Sequence, residues 1–149
     1  MSDSIKHECG IAILRLLKPL DFYYKKYGTN LYGLNKMFLM MQKQVNRGQD
    51  GSGLVTLKFD VPPGEQYIFR KRSVEKNSIE EIFQHVQNEY LALKNKDGFN
   101  EINWLKHNFP YLGEFYMGHL RYGTYGKNNI QMCHPVVRKN NWKTKNLAV

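Results

Sequence analysis

A short apolar segment, residues 10–16, predicts the first regular element of the chain. The segment has the length of a β-strand, and all of its residues except Arg15 are uncharged and mostly apolar. We therefore predict a strand that is buried on both faces. Polar residues 1–8 precede it, and Cys9 stands directly before its first residue. The predicted strand therefore holds the Cys9 thiol at one end of a sheet.

Apolar residues then recur at spacings of three and four, which predicts a helix with one buried face. These residues are Leu31, Leu34, Phe38, Met41 and Val45. We expect Gly48 to close this helix, because glycine readily adopts the left-handed conformation that a helix C-terminus needs. The preceding segment, residues 18–29, contains Pro19 and Gly28 and is predicted to be a loop.

A hairpin and a second helix are predicted next. Residues 54–59 and 66–70 are strand-like and flank a turn at 60–65. Ser78 and Glu81 have the spacing of a capping box. The capping box opens a helix whose apolar face consists of Ile79, Ile82, Phe83, Val86, Tyr90 and Leu93.

The remaining segments contain fewer helical patterns. Residues 95–112 are predicted to be irregular, with a short helix near 102–105, and residues 115–121 form a strand that leads into a glycine-rich loop. Residues 136–137 and 147–149 are two further predicted strands. Strands at both ends and helices between them indicate an α+β sandwich.

The composition excludes several classes of protein. The 149 residues are 42% hydrophobic, which fits one globular domain. No apolar run is long enough to cross a bilayer, and residues 1–8 lack the apolar core of a secretory signal. Two cysteines, Cys9 and Cys133, do not make a disulfide framework, so we expect a reducing cytoplasm as the natural setting.

The net charge of +9 allows a nucleic-acid-binding interpretation. However, the basic residues are scattered along the chain, and no aromatic–basic repeat resembles a nucleic-acid module. We therefore expect a solvated basic surface without a nucleic-acid partner. Part of the charge would be balanced by acidic residues on a partner domain.

Three sequence segments indicate the chemistry. They are Cys9-Gly10-Ile11, residues 47–53 (Arg-Gly-Gln-Asp-Gly-Ser-Gly) and residues 118–124 (Gly-His-Leu-Arg-Tyr-Gly-Thr). In this order they resemble the glutaminase domain of class II, or N-terminal-nucleophile, glutamine amidotransferases, most closely that of the amidophosphoribosyltransferases. The stretches 18–29 and 74–112 lie outside the resemblance.

The resemblance implies that Cys9 is the catalytic nucleophile. A thiol reacts as its thiolate, and the pKa of a free cysteine is near ~8.5, so the reaction needs a base. In the family the cysteine is the first residue, and its own α-amino group, which titrates near ~7.7–8.0, acts as that base. Cleavage between Glu8 and Cys9 is therefore implied, with residues 1–8 as a propeptide-like leader. The alternative is a small structural cysteine at a strand start.

The resemblance also implies a binding site for glutamine. Arg121 would bind the α-carboxylate, because a guanidinium offers a planar fork that matches a carboxylate. Thr124 and Arg47 would help to hold the substrate, and Gly48, Gln49 and Asp50 would form a supporting loop. Two departures weaken the match locally: Val45-Asn46 replaces the family's Gln-His, and Tyr125 replaces a smaller residue or histidine.

No metal site is predicted. The five histidines do not have zinc-ligand spacing with either cysteine, and the adjacent pair Cys133-His134 cannot easily share a metal. We expect each histidine to have a structural role.

The implied fold is the four-layer αββα sandwich of N-terminal-nucleophile hydrolases, over residues 9–149 and truncated at its C-terminal end. The last strand should lead into a His-Asn-Gly motif that forms the oxyanion hole, and loss of one such donor costs roughly 10²–10³ in rate. The chain alone is therefore expected to be a nearly inactive fragment. A phosphoribosyltransferase domain would follow, with Mg²⁺ bound alongside phosphoribosyl pyrophosphate and the full protein forming a homo-oligomer. Some leader-bearing relatives also contain an iron–sulfur cluster outside this segment.

Two alternative functions stay open. Glucosamine-6-phosphate synthase, asparagine synthetase and glutamate synthase share this glutaminase fold, so the ammonia acceptor is not determined. A degenerate domain that binds glutamine or regulates a partner, with the nucleophile never unmasked, is the non-enzymatic alternative.

Overall fold

A four-stranded antiparallel sheet forms the centre of the part of the chain that the computed structural model describes, residues 8–123 and 129–137. The strand order is β1-β4-β2-β3, so β4 lies between β1 and β2. The strands are Gly10–Arg15 (β1), Ser52–Leu57 (β2), Ile68–Ser73 (β3) and Phe115–Leu120 (β4).

Helices cover one face of this sheet. They are Leu20–Tyr27 (α1), Tyr32–Gln42 (α2), Ser78–Leu93 (α3) and Ile102–Asn108 (α4). Helix α2 packs on β1 and β4, and α3 packs on β2 and β3. The predicted α+β class is thereby confirmed.

The hydrophobic core lies between the sheet and these helices. Ala12, Gly118 and Leu54 are direct cross-strand partners and therefore share the face towards α2. Met37 and Met41 of α2 pack on this face and are fully buried. Burial of each side chain of this size stabilises the fold by about 1.5–3 kcal/mol relative to leaving it exposed. The apolar face of α2 therefore determines which face of the sheet the helix covers.

The prediction that β1 is buried on both faces was wrong. Ala12 is buried, but Ile11 and Ile13 are 60% and 56% exposed. These two residues point away from α2, because successive side chains of a strand alternate between the two faces. The sheet thus presents an apolar, exposed stretch on its second face.

The predicted loop at 18–29 contains helix α1. Pro19 precedes the helix and Gly28, with a φ of +70°, ends it. An ion pair of 2.9 Å between Asp21 and Lys25 supports it at helical spacing. The ring of Tyr23 in α1 stacks on the ring of Tyr32 in α2, with 5.0 Å between the ring centres. This contact holds the short helix against the domain.

The capping box predicted for α3 was also wrong, although the helix itself is confirmed. The residue before the helix is Asn77, and no side chain caps that end. The Glu81 carboxylate instead accepts a hydrogen bond from the Ser73 hydroxyl group, which ties α3 to the end of β3. The spacing of Ser78 and Glu81 fits a capping box, but the Glu81 carboxylate binds Ser73, which lies outside the helix.

The hairpin and the short helix at 102–105 are confirmed by the pairing of β2 with β3 and by α4. The strand predicted at 136–137 does not form. Backbone oxygens of Cys133 and Pro135 accept hydrogen bonds from Arg72 and Arg70, so this segment crosses the second face of the sheet without joining it. The strand predicted at 147–149 lies outside the described residues.

A charged cluster ties α4 to the β2–β3 hairpin at the sheet end where β1 finishes. The Lys106 ammonium group donates to Glu114 Oε1 at 2.6 Å and to the carbonyl oxygen of Phe59. Lys58 is 4% exposed, donates to the carbonyl oxygen of Lys106 and lies 4.6 Å from the centre of the Phe69 ring. Burial, followed by the nearby Lys106 charge, lowers the pKa of Lys58 to about 8. We call Lys58, Lys106 and Glu114 the lysine cluster.

The lysine cluster predicts a pH-dependent stability. Lys58 has a lower pKa in the folded chain than its ordinary 10.5, so the folded state loses this proton first as the pH rises. The cost of burying its charge is complete below pH about 8 and fades between about 8 and 10.5. We therefore expect the stability of Lys58→Met relative to the native chain to fall over that interval. Denaturant unfolding of both proteins at several pH values measures the difference, and a constant difference would contradict the assignment.

Candidate active site

The three segments singled out in the sequence meet at one end of the sheet. Cys9 precedes β1, the connection 47–53 leads from α2 into β2, and residues 121–123 follow β4. Because β4 lies between β1 and β2, Leu120 pairs with both Gly10 and Ser52. The sheet topology therefore brings together segments that are far apart in the chain.

The Cys9 thiol is exposed and lies against the backbone that follows β4. The Tyr122 N–H group donates to Cys9 Sγ at 3.4 Å, and Sγ lies 3.9 Å from the carbonyl oxygen of Tyr122. The thiol is thus accessible to a small electrophile.

Asp50 holds the two loops of the site together. Its Oδ2 accepts a hydrogen bond of 2.7 Å from the Gly123 N–H group, and its own N–H group donates to the Arg121 carbonyl oxygen at 3.0 Å. The Arg121 N–H group in turn donates to the Gly51 carbonyl oxygen at 2.7 Å. These bonds fix the loop 47–53 relative to the residues that follow β4.

Arg121 is 6% exposed and carries a permanent positive charge into the site. Its Nη2 lies 3.6 Å from the position that a Cβ atom at Gly123 would take, and Asp50 Oδ2 lies 3.3 Å from the same position. The guanidinium and the carboxylate thus flank Gly123, where the absence of a side chain leaves an approach to Arg121.

Gly48 permits the close contact between the two loops. Its φ of −155° is extended, so the expected left-handed helix end was wrong, and α2 already finishes at Gln42. A Cβ atom at Gly48 would lie 2.6 Å from the carbonyl carbon of Leu120 and 2.7 Å from that of Arg121. The glycine is needed because another backbone passes directly beside it.

The other predicted site residues are less closely involved. Arg47 and Gln49 have exposed side chains, and neither forms a hydrogen bond with Cys9 among residues 8–123 and 129–137. Thr124, like Tyr125, lies outside the described residues. Of the predicted set, the structure thus brings together Cys9, Gly48, Asp50 and Arg121.

Cys133, the second cysteine, is buried beside the site. Its Sγ donates to the Ser52 carbonyl oxygen at 3.2 Å. Burial raises the pKa of the Cys133 thiol, although the Arg72 and Arg121 charges oppose this shift. This cysteine is therefore structural.

The two cysteines should differ strongly towards a thiol reagent. We expect iodoacetamide to modify Cys9 in the folded chain and to leave Cys133 unmodified, because the first is exposed and the second is fully buried with a raised pKa. Peptide mass analysis after brief labelling gives the result, with denatured protein as the control in which both react. Equal modification of both cysteines in the folded chain would be inconsistent with this packing.

Sequence reasoning missed the environment of His119. This residue is buried on the second face of the sheet, and its ring centre lies 5.2 Å from that of His134. Burial, together with the charges of His134 and Arg121, lowers the pKa of His119. Its Nδ1 atom has no hydrogen-bond partner among the described residues. The only sequence signal was a histidine within a predicted strand, two residues before Arg121.

Within residues 8–123 and 129–137, no group of three or more His, Cys, Asp or Glu side chains could hold a metal ion. Over the same ranges, no helix combines the length and hydropathy that crossing a bilayer requires.

Comparisons of the chain with protein-family models, curated proteins and solved structures found no match.

Proposed function

We propose that this chain is the glutaminase part of a class II glutamine amidotransferase, with Cys9 as its nucleophile. The observation that carries the proposal is the meeting of the three motifs. Cys9 Sγ lies 3.4 Å from the backbone nitrogen of Tyr122, and Asp50 Oδ2 accepts a hydrogen bond of 2.7 Å from the Gly123 N–H group. Segments separated by tens of residues in the chain thus meet at one end of the sheet.

The chemistry begins after cleavage of the bond between Glu8 and Cys9, which frees the α-amine of Cys9. The amine takes the thiol proton, and the thiolate attacks the side-chain amide carbon of glutamine. The tetrahedral intermediate then expels ammonia, which carries away the proton, and a γ-glutamyl thioester remains on Cys9. Water hydrolyses this thioester to glutamate and regenerates the thiol.

Arg121 would orient the substrate during these steps. A glutamine carboxylate that approaches beside Gly123 would come within reach of Nη2, which lies 3.6 Å from the position of a Cβ there. Because Arg121 is largely buried, its attraction for a carboxylate is less screened than it would be on the surface. Asp50 Oδ2 lies 3.3 Å from the same position and would hold the α-ammonium group of the substrate.

The exposed face of β1 supports the finer fold proposal, the αββα sandwich. Ile11 and Ile13 are more than half exposed on the sheet face opposite α2. An antiparallel sheet with apolar side chains on both faces is suited to packing between a helical layer and a second sheet. A second sheet on Ile11 and Ile13 would complete the four layers.

The remaining parts of the proposal rest on the sequence resemblance alone. They are a phosphoribosyltransferase domain that uses the ammonia to form 5-phosphoribosylamine in purine synthesis, Mg²⁺ bound with phosphoribosyl pyrophosphate there, a homo-oligomeric enzyme and a cytoplasmic location. An iron–sulfur cluster in the complete protein belongs to the same group.

Processing of the N-terminus tests the proposal. N-terminal sequencing of the protein purified from cells should begin at Cys9, because the α-amine is the only base that this mechanism provides. The matched variant Glu8→Pro, which alters the cleavage site and leaves Cys9 in place, should retain residues 1–8 and release no ammonia from glutamine. A native protein that retains Met1 or Ser2 would instead favour the glutamine-binding or regulatory alternative.

A further inference from the structure

A cavity lies at the opposite end of the sheet from Cys9. It has a volume of about 820 Å³ and lies among the β1–α1 connection, the β2–β3 hairpin and α4. Small-molecule sites are usually between ~300 and ~1,000 Å³, so this cavity has the size of a ligand site. Strand β1 separates Cys9 from Arg15, which lines the cavity, by about 20 Å, since a strand rises by about 3.3 Å per residue.

The base of this cavity has an excess of positive charge. The lysine cluster places two ammonium groups and one carboxylate there. Lys106 pairs with Glu114 at 2.6 Å, with both side chains largely buried. Lys58 has no carboxylate within ion-pairing distance among the described residues, and its contacts are a carbonyl oxygen and the Phe69 ring. An ammonium group that is buried with only these contacts favours the binding of an anion beside it.

The acidic side chains at the rim do not form an ion pair with Lys58. Glu65 lies 3.3 Å from His107, and Asp21 forms an ion pair of 2.9 Å with Lys25. Both carboxylates are more than a third exposed and are screened by solvent. Asp60, which also lines the cavity, is exposed on the hairpin turn.

Two further cations stand at the same rim. Arg15 lies 5.7 Å from the centre of the Phe59 ring, and both Arg15 and Lys18 are exposed to solvent. Cations thus lie at the entrance, beside the exposed carboxylates there, and Lys58 lies at the base.

We propose that this cavity is a binding site for a small anionic molecule, bearing phosphate or carboxylate groups, that pairs with Lys58 at the base. The proposal is independent of catalysis at Cys9, because the two sites lie at opposite ends of β1. The lowered pKa of Lys58 is consistent with an ammonium group that lacks a counter-ion.

Calorimetric titration of the full chain tests the proposal, with inorganic pyrophosphate and citrate as separate probes at constant ionic strength near neutral pH. We expect saturable binding of one equivalent and an affinity at least tenfold lower for Lys58→Met. The matched variant Lys94→Met removes an exposed lysine at the end of α3, outside the cavity, and should bind within twofold of the native chain. Binding of pyrophosphate alone would define a phosphate site, and binding of both probes a general anion site.

Absence of saturable binding for both probes, or equal affinities of Lys58→Met and the native chain, would overturn the proposal. A measurement on the native chain covers the case in which Lys58→Met does not fold. Citrate should raise the pKa of Lys58, followed by NMR of its side chain, because the anion stabilises the charged ammonium group. The charges that face Lys58 are Lys106, Glu114 and Glu65, and an unchanged Lys58 pKa in saturating citrate would equally reject the site.

Discussion

Replacement of Cys9 by alanine is expected to lower the rate of glutamine hydrolysis by the complete amidotransferase proposed above at least about 10³-fold, because the covalent route through a thioester disappears with its nucleophile. Cys9→Ser should also be severely impaired, since a hydroxyl group in the same position loses its proton far less readily than a thiol. The measurement is ammonia release from glutamine at saturating substrate. Trapping with hydroxylamine, which intercepts a γ-glutamyl thioester, should give a hydroxamate with the native protein alone.

The second cysteine provides the matched control for this result. Cys133→Ser keeps a donor for the Ser52 carbonyl oxygen and leaves Cys9 untouched, so the rate should stay within a few-fold of the native value. A Cys9→Ala protein with a native rate would remove Cys9 from the mechanism. Loss of activity in Cys133→Ser alone, with the fold intact, would move the chemistry to the other cysteine.

Gly48→Ala is expected to destabilise the folded chain by about 2–3 kcal/mol and to separate the two loops of the site. The added Cβ would meet the carbonyl carbons of Leu120 and Arg121 at 2.6 and 2.7 Å, and these backbone atoms belong to the β4 end and cannot rotate away. Relief of the contact requires the loop 47–53 to move, which breaks the hydrogen bond from Gly123 to Asp50. Denaturant unfolding measures the loss of stability.

Gln49→Ala is the control in the same loop. Its side chain is exposed, so the change in stability should stay within about 0.5 kcal/mol. A Gly48→Ala protein as stable as Gln49→Ala would mean that the loops are further apart than the structure has them. Iodoacetamide should label Cys9 equally in Gly48→Ala and in Gln49→Ala, because the thiol is exposed in both.

The regular elements followed from the sequence where one periodic signal dominated. Helix α3 was predicted because its apolar residues recur at helical spacing over 16 residues, and the hairpin because a turn of Pro and Gly separates two strand-like runs. Helix α1 was missed. Its stability comes from the tertiary stacking of Tyr23 on Tyr32, which a local pattern does not contain.

The composition of the candidate site followed from the motifs, but its geometry did not. The sequence indicated Cys9, Asp50 and Arg121, whereas the contact of Cys9 with the Tyr122 backbone depends on the position of β4 between β1 and β2. The reason for Gly48 was also misjudged, because a close approach between two backbones leaves no mark in the local sequence.

The lysine cluster was not predicted because its partners lie far apart in the chain. Lys58 lies near the end of the strand predicted at 54–59, and nothing in that local pattern indicates that it is buried under α4.

The most direct test of the central claim is the intact mass of the protein after exposure to an electrophilic glutamine analogue. We expect a chain that begins at Cys9 and carries one adduct on that residue, with labelling suppressed by excess glutamine. A chain that retains residues 1–8 and acquires no adduct would contradict the assignment of Cys9 as a nucleophile for glutamine.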